Sequence, residues 1–135
     1  MRREVLEVRS PHHTVIFLEK KPAPLQNRTF LNVLLWQKVS DTPLAYVWVG
    51  VPIESHAKIS PEAEAHAVRA QASRCVRATQ TAVGVTRIEY ACSLDLKGRC
   101  PNWLTDRLVI PTLMEVPYEL QTYFLHVMPP ISCTK

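Results

Sequence analysis

The chain up to Asp95 is a series of apolar-rich segments of strand length, and in the last of them, 85–94, apolar and partly polar positions alternate with the period of two of a β-strand. The run 15–18 is continuously apolar, which is typical of a strand covered on both faces. Prolines and short polar turns end the segments, and the turn at 40–43 predicts an antiparallel hairpin between its neighbours. The predicted strands are 13–20, 28–39, 44–51, 66–79 with an irregularity near Ala72, and 85–94, preceded by a short strand or frayed helix at 4–8.

The last predicted strand has one apolar face and one partly polar face. Ile88, Tyr90 and Cys92 fall on the apolar face, because residues two apart in a strand point the same way. Arg87 and Glu89 fall on the other face. We expect the apolar face to meet either the hydrophobic core or a cavity.

After the last strand the apolar period becomes that of an amphipathic helix. Pro111 and Pro117 lie within this pattern and lack the backbone N–H that a helix interior needs, so we predict either a kink or two helices in sequence. Residues 129–135 are predicted to be a disordered tail after a single domain at 1–128. The predicted apolar stripe consists of Trp103, Ile110, Leu113, Leu120, Phe124 and Val127.

The length of 135 residues suits one domain with a sizeable core. The net charge of +4 is scattered along the chain, so it indicates only a mild basic bias, and we expect no nucleic-acid partner. No apolar run reaches the roughly 18 residues that a spanning helix needs, which predicts a cytoplasmic or membrane-peripheral setting. The four cysteines lack paired metal spacing and are predicted to be reduced thiols.

Motifs of known catalytic sites are missing from the chain. It contains no glycine-rich phosphate loop, no H-E-x-x-H, no C-x-x-C pair and no G-x-S-x-G elbow. His12 and His13 are adjacent, and adjacent residues of a strand point to opposite faces, so they form a poor chelating pair. The sequence therefore predicts a binding protein that has neither enzymatic activity nor a metal or other cofactor.

Three short motifs, in the same order and spacing, resemble those of the START domains, the lipid-transfer domains related to steroidogenic acute regulatory protein. The segment 95–98 reads D-L-K-G and, with Pro101 and Trp103, resembles the family's entry into its last helix. Arg28-Thr29-Phe30 is similar to the family's R-D-F, and Val68-Arg69-Ala70 to its V-R-A. The resemblance covers roughly 15–127 and only the later part of such a domain, whose N-terminal part has no counterpart here.

The resemblance implies an α+β helix-grip fold, in which a curved antiparallel sheet packs against a long C-terminal helix. It also implies a lipid or sterol ligand in a cavity between the sheet and the helix. The helix and the loop at 52–65 would form the movable side, although the loop is also compatible with a plain solvated connector. The predicted cavity walls are Trp36, Tyr46, Trp48, Ile88, Tyr90 and Cys92 on strands and Leu113, Leu120 and Phe124 on the helix, each of which could instead be a core residue.

Charged residues that could orient a lipid head group are few. Arg69, Arg87 and Glu89 are the candidate polar contacts, with an exposed cross-strand ion pair as the alternative. Thr29 stands where the family usually has Asp, a departure from sterol-type recognition. Two further readings stay open beside lipid transfer with transient membrane contact: a START-like regulatory or protein-interaction module, and an accessory domain of an acyl-CoA thioesterase.

Overall fold

The structure, a computed structural model, describes residues 2–21, 23–60, 62–98 and 102–127. These residues form seven strands, a short 3-10 turn at Glu62–Glu64 and one helix. The strands belong to one compact unit and the helix to a second. The elements are β1 (Arg2–Ser10), β2 (His13–Lys20), β3 (Asn27–Asp41), β4 (Leu44–Pro52), β5 (Ala67–Arg69), β6 (Gln71–Ala82), β7 (Val85–Asp95) and α1 (Asn102–Val127).

The strands form a single sheet in the order β1-β2-β3-β4-β6-β7, in which every neighbouring pair is antiparallel. The short β5 pairs in parallel with the start of β3. The predicted strands at 13–20, 28–39, 44–51 and 85–94 and the hairpin of β3 and β4 are confirmed, and the N-terminal segment is a strand, not a frayed helix. The apolar-rich segments bounded by prolines and polar turns therefore identified most of the sheet correctly.

The segment predicted as one strand at 66–79 is two strands, and the interruption lies at Ala70, not near Ala72. Ala70 is buried, and its backbone N–H donates to the Thr29 carbonyl at 2.9 Å. At this residue the chain leaves its pairing with β3 and begins to pair with β7, and further on also with β4. A change of partner strand cannot be seen in a period-two pattern.

The sheet has two faces, which the register of the strands defines. Directly opposite residues of antiparallel strands point to the same side, so Trp36, Trp48, Val76 and Tyr90 share one face, called here the aromatic face. The opposite face, called here the loop face, carries Val15, Phe17, Leu31 and Val33.

The loop between β4 and β5 covers part of the loop face. Leu6, Val15, Phe17 and Leu31 form a buried cluster there, and Ile53 and Ile59 of the loop pack against it. The Lys58 ammonium donates to the Leu6 carbonyl, and His56 Nε2 lies 3.2 Å from a Glu7 carboxylate oxygen. The contacts of these loop residues are thus on the side away from the aromatic face, and they give the predicted gating role no support.

Arg28 holds the turn that follows β7. Its side chain is buried, and the guanidinium donates to the carbonyls of Leu96 (2.9 Å), Gln26 (2.6 Å) and Lys97 (3.3 Å). Lys97 and Gly98 both have positive φ, 53° and 70°, a backbone conformation in which glycine is not strained. The Arg28 side chain thus joins the turn, through Leu96 and Lys97, to the segment that precedes β3, through Gln26.

The same turn brings together the three motifs found in the sequence. A Cβ placed on Gly98 would lie 3.7 Å from the side chains of both Arg28 and Val68. The Asp95 carboxylate accepts a hydrogen bond from the Lys97 backbone N–H at 2.9 Å, the structural role expected of a turn aspartate. Residues distant in sequence therefore form one structural unit at this end of the sheet.

The helix α1 is one continuous element that includes Pro111 and Pro117. The predicted alternative of two helices in sequence is therefore wrong. Each proline removes one N–H donor, and the other backbone hydrogen bonds remain to hold the turns together. In the described part of the chain, no helix is both long enough and apolar enough to cross a membrane. The predicted tail at 129–135 lies outside the described residues, and the single domain at 1–128 stays a prediction.

Candidate functional site

The six strand residues predicted to line a cavity lie on one face of the sheet. Trp36 is opposite Trp48, and Trp48 and Tyr90 are both opposite Val76. By the same register, Tyr46 and Ile88 flank Ala78, and Cys92 follows Tyr90 by two residues. Three separate strands thus contribute to one apolar surface, composed of Trp36, Tyr46, Trp48, Ile88, Tyr90 and Cys92.

One end of the aromatic face is packed and the other is open. At the packed end Phe30, Ala70 and Ala72 are buried and contact Leu18, Leu94 and Leu96. At the open end Trp36, Tyr46 and Ile88 are exposed, whereas Trp48, Tyr90 and Cys92 are partly buried. The open end is a rigid apolar surface of the kind to which hydrophobic ligands bind.

Local contacts fix the aromatic rings of the open end. The Trp36 indole N–H donates to the Pro11 carbonyl at 3.0 Å, and the His12 ring packs edge-on against the indole with centroids 4.0 Å apart. The rings of Trp36 and Tyr46 lie 6.1 Å apart. A Cβ on Gly50 would come within 3.4 Å of the Trp48 ring, so the absence of a side chain there lets this ring lie close to the sheet.

Polar groups on the aromatic face were not identified from the sequence. Asn32 is buried, and its side-chain amide donates to the Ala72 carbonyl at 2.7 Å. Arg74 is half-buried and lies between Gly50 and Cys92 in the register. The sequence shows that Arg74 and Val76, which are two residues apart, point to the same side of β6. It does not show to which face of the sheet that side belongs.

The polar residues predicted from the sequence have other surroundings. Arg87 and Glu89 lie on the loop face side of β7, and Glu89 is 4.0 Å from Arg77 in an exposed ion pair. Exposed ion pairs of this kind contribute only about 0–1 kcal/mol to the free energy of unfolding. Arg69 is paired with Glu64. The structure therefore does not bring Arg87 or Glu89 together with the aromatic face.

Glu64 accepts hydrogen bonds from two residues that the sequence motifs contain. The Thr29 hydroxyl and the Arg69 guanidinium both donate to its carboxylate, the Arg69 Nε at 2.9 Å. Burial, the largest single influence, raises the pKa of Glu64, but the hydrogen bonds from Arg69 and Thr29 and the charge of Arg69 together bring it below its ordinary value. Glu64 thus places a carboxylate beside the Thr29 hydroxyl.

This depressed pKa predicts how the stability depends on pH. A carboxylate with a lowered folded-state pKa stabilises the fold above its ordinary pKa and loses that contribution as the pH falls through the folded-state value. We expect Glu64→Gln to lower the free energy of unfolding by about 1–3 kcal/mol at neutral pH. The difference from the native chain should shrink below a pH of about 4.5. Urea unfolding of both chains from pH 7 to pH 3 measures this, and a difference that stays constant would contradict it.

The predicted helix residues share a stripe of α1. Leu113, Leu120 and Phe124 are spaced by seven and four residues, which places them on one side of the helix. Leu113 and Leu120 are half-buried and Phe124 is exposed, with its ring 5.4 Å from that of Tyr123. The predicted cavity between helix and sheet stays a prediction.

Metal chemistry has no visible basis in the described residues. Among them, no group of three or more His, Cys, Asp or Glu side chains is close enough to hold a metal ion. The two described cysteines, Cys75 and Cys92, are free thiols on opposite faces of the sheet. Cys100 and Cys133 lie outside the described residues.

Comparison with known proteins gives similarity in sequence and in fold. The family model of the START domain matches residues 3–120. The crystal structure of human STARD10 matches with a TM-score of 0.66 and 19% identity, covering 96% of this chain and 56% of that chain. Human StAR-related lipid transfer protein 5 matches with a TM-score of 0.66 and 15% identity, covering 84% of this chain and 54% of that one. None of the curated protein sequences matches.

These matches decide the fold class and the family. The chain spans a little over half the length of the two structures it matches. At this level of identity the structural matches show the fold alone, and they confirm the predicted α+β helix-grip class. The family model covers most of the chain and agrees with the motifs at 28–30, 68–70 and 95–98. The chain therefore belongs to the START domain family, a family of domains that generally bind and transfer lipids or sterols.

Proposed function

We propose that this chain binds a lipid or sterol non-covalently and transfers it. The contact surface on the sheet is the aromatic face. The observation that supports this most is that six residues from three strands share one face, whose open end exposes Trp36, Tyr46 and Ile88. Family membership supports it independently.

The energetics of such binding follow from apolar burial. Covering about 200 Å² of apolar surface with an acyl chain or a sterol ring stabilises the complex by about 5 kcal/mol. The Trp36 ring is held in place by the Pro11 carbonyl and the His12 ring, so little ordering of this side chain is required when a ligand arrives. No chemical bond forms, and the ligand leaves as it entered, as transfer requires.

The proposal keeps some predicted contacts and omits others. Leu113, Leu120 and Phe124 remain proposed ligand contacts on α1, and transient contact with a membrane surface is part of the proposal because the ligand is taken from a bilayer. Arg87 and Glu89 are omitted because they lie on the other side of the sheet. We propose no enzymatic step.

The main alternative is a START-like module without transfer activity, one that regulates or binds a protein, or an accessory domain of an acyl-CoA thioesterase. The exposed side chains of Trp36, Tyr46 and Ile88 also favour an apolar protein surface as partner. Native mass spectrometry of the purified chain, followed by organic extraction, separates the two. A lipid bound at one per chain supports the carrier, and an empty folded monomer supports the alternative.

Substitutions at two residues of similar exposure, one on each face, can show which face binds the ligand. Ile88 is 41% exposed on the aromatic face and Val51 is 46% exposed on the loop face. We expect Ile88→Asp to reduce lipid uptake from vesicles at least tenfold, because a carboxylate against an apolar ligand is costly to desolvate. Val51→Asp should retain uptake.

Circular dichroism should show both variants folded, so that uptake can be compared directly. Equal loss of uptake in the two variants would contradict the assignment of the aromatic face. Unchanged uptake in Ile88→Asp would contradict it as well.

A further inference from the structure

Arg74 occupies an unusual position on the aromatic face. It is half-buried on β6, and its neighbours on that face are neutral. Ala72 and Val76 flank it along the strand, and Gly50 and Cys92 lie opposite it on the two adjacent strands. Its charge is therefore surrounded by apolar surface.

The Arg74 guanidinium makes no hydrogen bond or ion pair with any residue that the structure describes. Other cations of the same face are engaged: Arg28 binds three carbonyls, and Lys38 pairs with Asp41. A partly buried charge without a partner lowers stability unless something binds it. Among the described residues, nothing occupies the five donors of the guanidinium, which can therefore bind an anionic ligand.

We propose that Arg74 binds the anionic head group of a lipid whose apolar part lies on the aromatic face. This inference rests on the function proposed above and adds the ligand class. A guanidinium matches a phosphate in a two-pronged geometry that an ammonium does not offer. Val76, the next residue of β6 on this face, is about 6.6 Å away and lies between Trp48 and Tyr90. One cation beside a broad apolar surface is complementary to an amphipathic anion.

The distribution of charge favours a lipid over a polyanion. A nucleic acid requires several cations on one surface, whereas the four nearest positions around Arg74 carry no charge. The remaining positive charge of the chain is scattered. A single anionic group at the end of an apolar molecule therefore fits this face best.

The test compares two lipids that differ only in the phosphate. Dioleoyl phosphatidic acid and dioleoylglycerol are each offered in sedimentable phosphatidylcholine vesicles, and the lipid carried by the protein in the supernatant is quantified. We expect the native chain to take up more phosphatidic acid than dioleoylglycerol. Arg74→Gln should take up about ten times less phosphatidic acid than the native chain and the same amount of dioleoylglycerol. Arg74→Lys should recover only part.

Arg77→Gln is the matched control. It removes the same charge from the same strand but from the loop face, so non-specific attraction to anionic vesicles changes equally. We expect its phosphatidic acid uptake to equal that of the native chain. The melting temperature of Arg74→Gln should be equal to or above that of the native chain, because a partnerless charge has been removed.

Several results would overturn the inference, and they separate it from the proposed function. If the native chain takes up both lipids equally, or if Arg74→Gln and Arg77→Gln behave alike, Arg74 is not the head-group ligand although lipid binding stands. If inorganic phosphate raises the melting temperature as much as phosphatidic acid does, the ligand of Arg74 is a free anion and not a lipid. If neither lipid is taken up, the proposed function and the inference both fail.

Discussion

Replacing Arg28 with alanine should lower the free energy of unfolding of the sheet by about 3–5 kcal/mol. Arg28 is only 2% exposed, and its guanidinium binds the carbonyls of Gln26, Leu96 and Lys97. Alanine leaves these three carbonyls without their donor and removes a side chain that is almost completely buried. Urea unfolding followed by circular dichroism measures the loss.

Two further variants show whether the hydrogen bonds or the charge matter. Arg28→Lys keeps the charge, but an ammonium cannot reproduce the fork that joins Leu96 and Lys97, so it should recover less than half of the loss. Arg77→Ala removes an arginine that is 55% exposed and should change the stability by less than about 0.5 kcal/mol. If Arg28→Ala unfolds at the same urea concentration as Arg77→Ala, the structural role assigned to Arg28 is wrong.

Leu31→Ala should lower the free energy of unfolding by about 3–4 kcal/mol. Leu31 is 1% exposed and packs with Leu6, Val15 and Phe17 on the loop face. Truncation removes apolar contacts and leaves a cavity that the strands on either side cannot close, because their backbones are hydrogen-bonded to β3. Thermal and urea unfolding measure the effect.

The control for this prediction lies on the same strand and the same face. Leu35 is four residues further along β3 and is 38% exposed, so Leu35→Ala should cost less than about 1 kcal/mol. The two variants lose the same atoms and differ only in burial. Equal losses would mean that the loop face is not the packed core that Leu31 and Phe17 indicate.

The arrangement of the two faces connects stability with the proposed function. The cluster of Val15, Phe17 and Leu31 on the loop face is covered by Ile53 and Ile59, whereas the open end of the aromatic face leaves Trp36 and Ile88 exposed. Substitutions in this buried cluster should therefore reduce stability first, and those at the open end should reduce ligand uptake first. At Arg74 of the aromatic face, the substitution by Gln should reduce ligand uptake without reducing stability.

Local sequence determined much of the fold. Apolar-rich segments bounded by prolines and polar turns identified the strands, and the alternation within β7 placed Ile88, Tyr90 and Cys92 on one side of it. The motifs at 28–30, 68–70 and 95–98 indicated the family, and in the fold Arg28, Val68 and Gly98 lie together at one end of the sheet. Neither inference needed knowledge of distant contacts.

Tertiary structure alone decided which strands share a face and which residues become partners. A shift of one residue in the register would have turned every side chain of a strand to the other side. The pairing of β6 with β4 and β7 therefore decided that Arg74 lies on the aromatic face, which the pattern within β6 alone does not show. The break at Ala70, the packing of the 53–59 loop on the loop face and the pairing of Glu64 with Thr29 have the same origin. Each depends on contacts between segments far apart in the chain, which form only when the sheet is assembled.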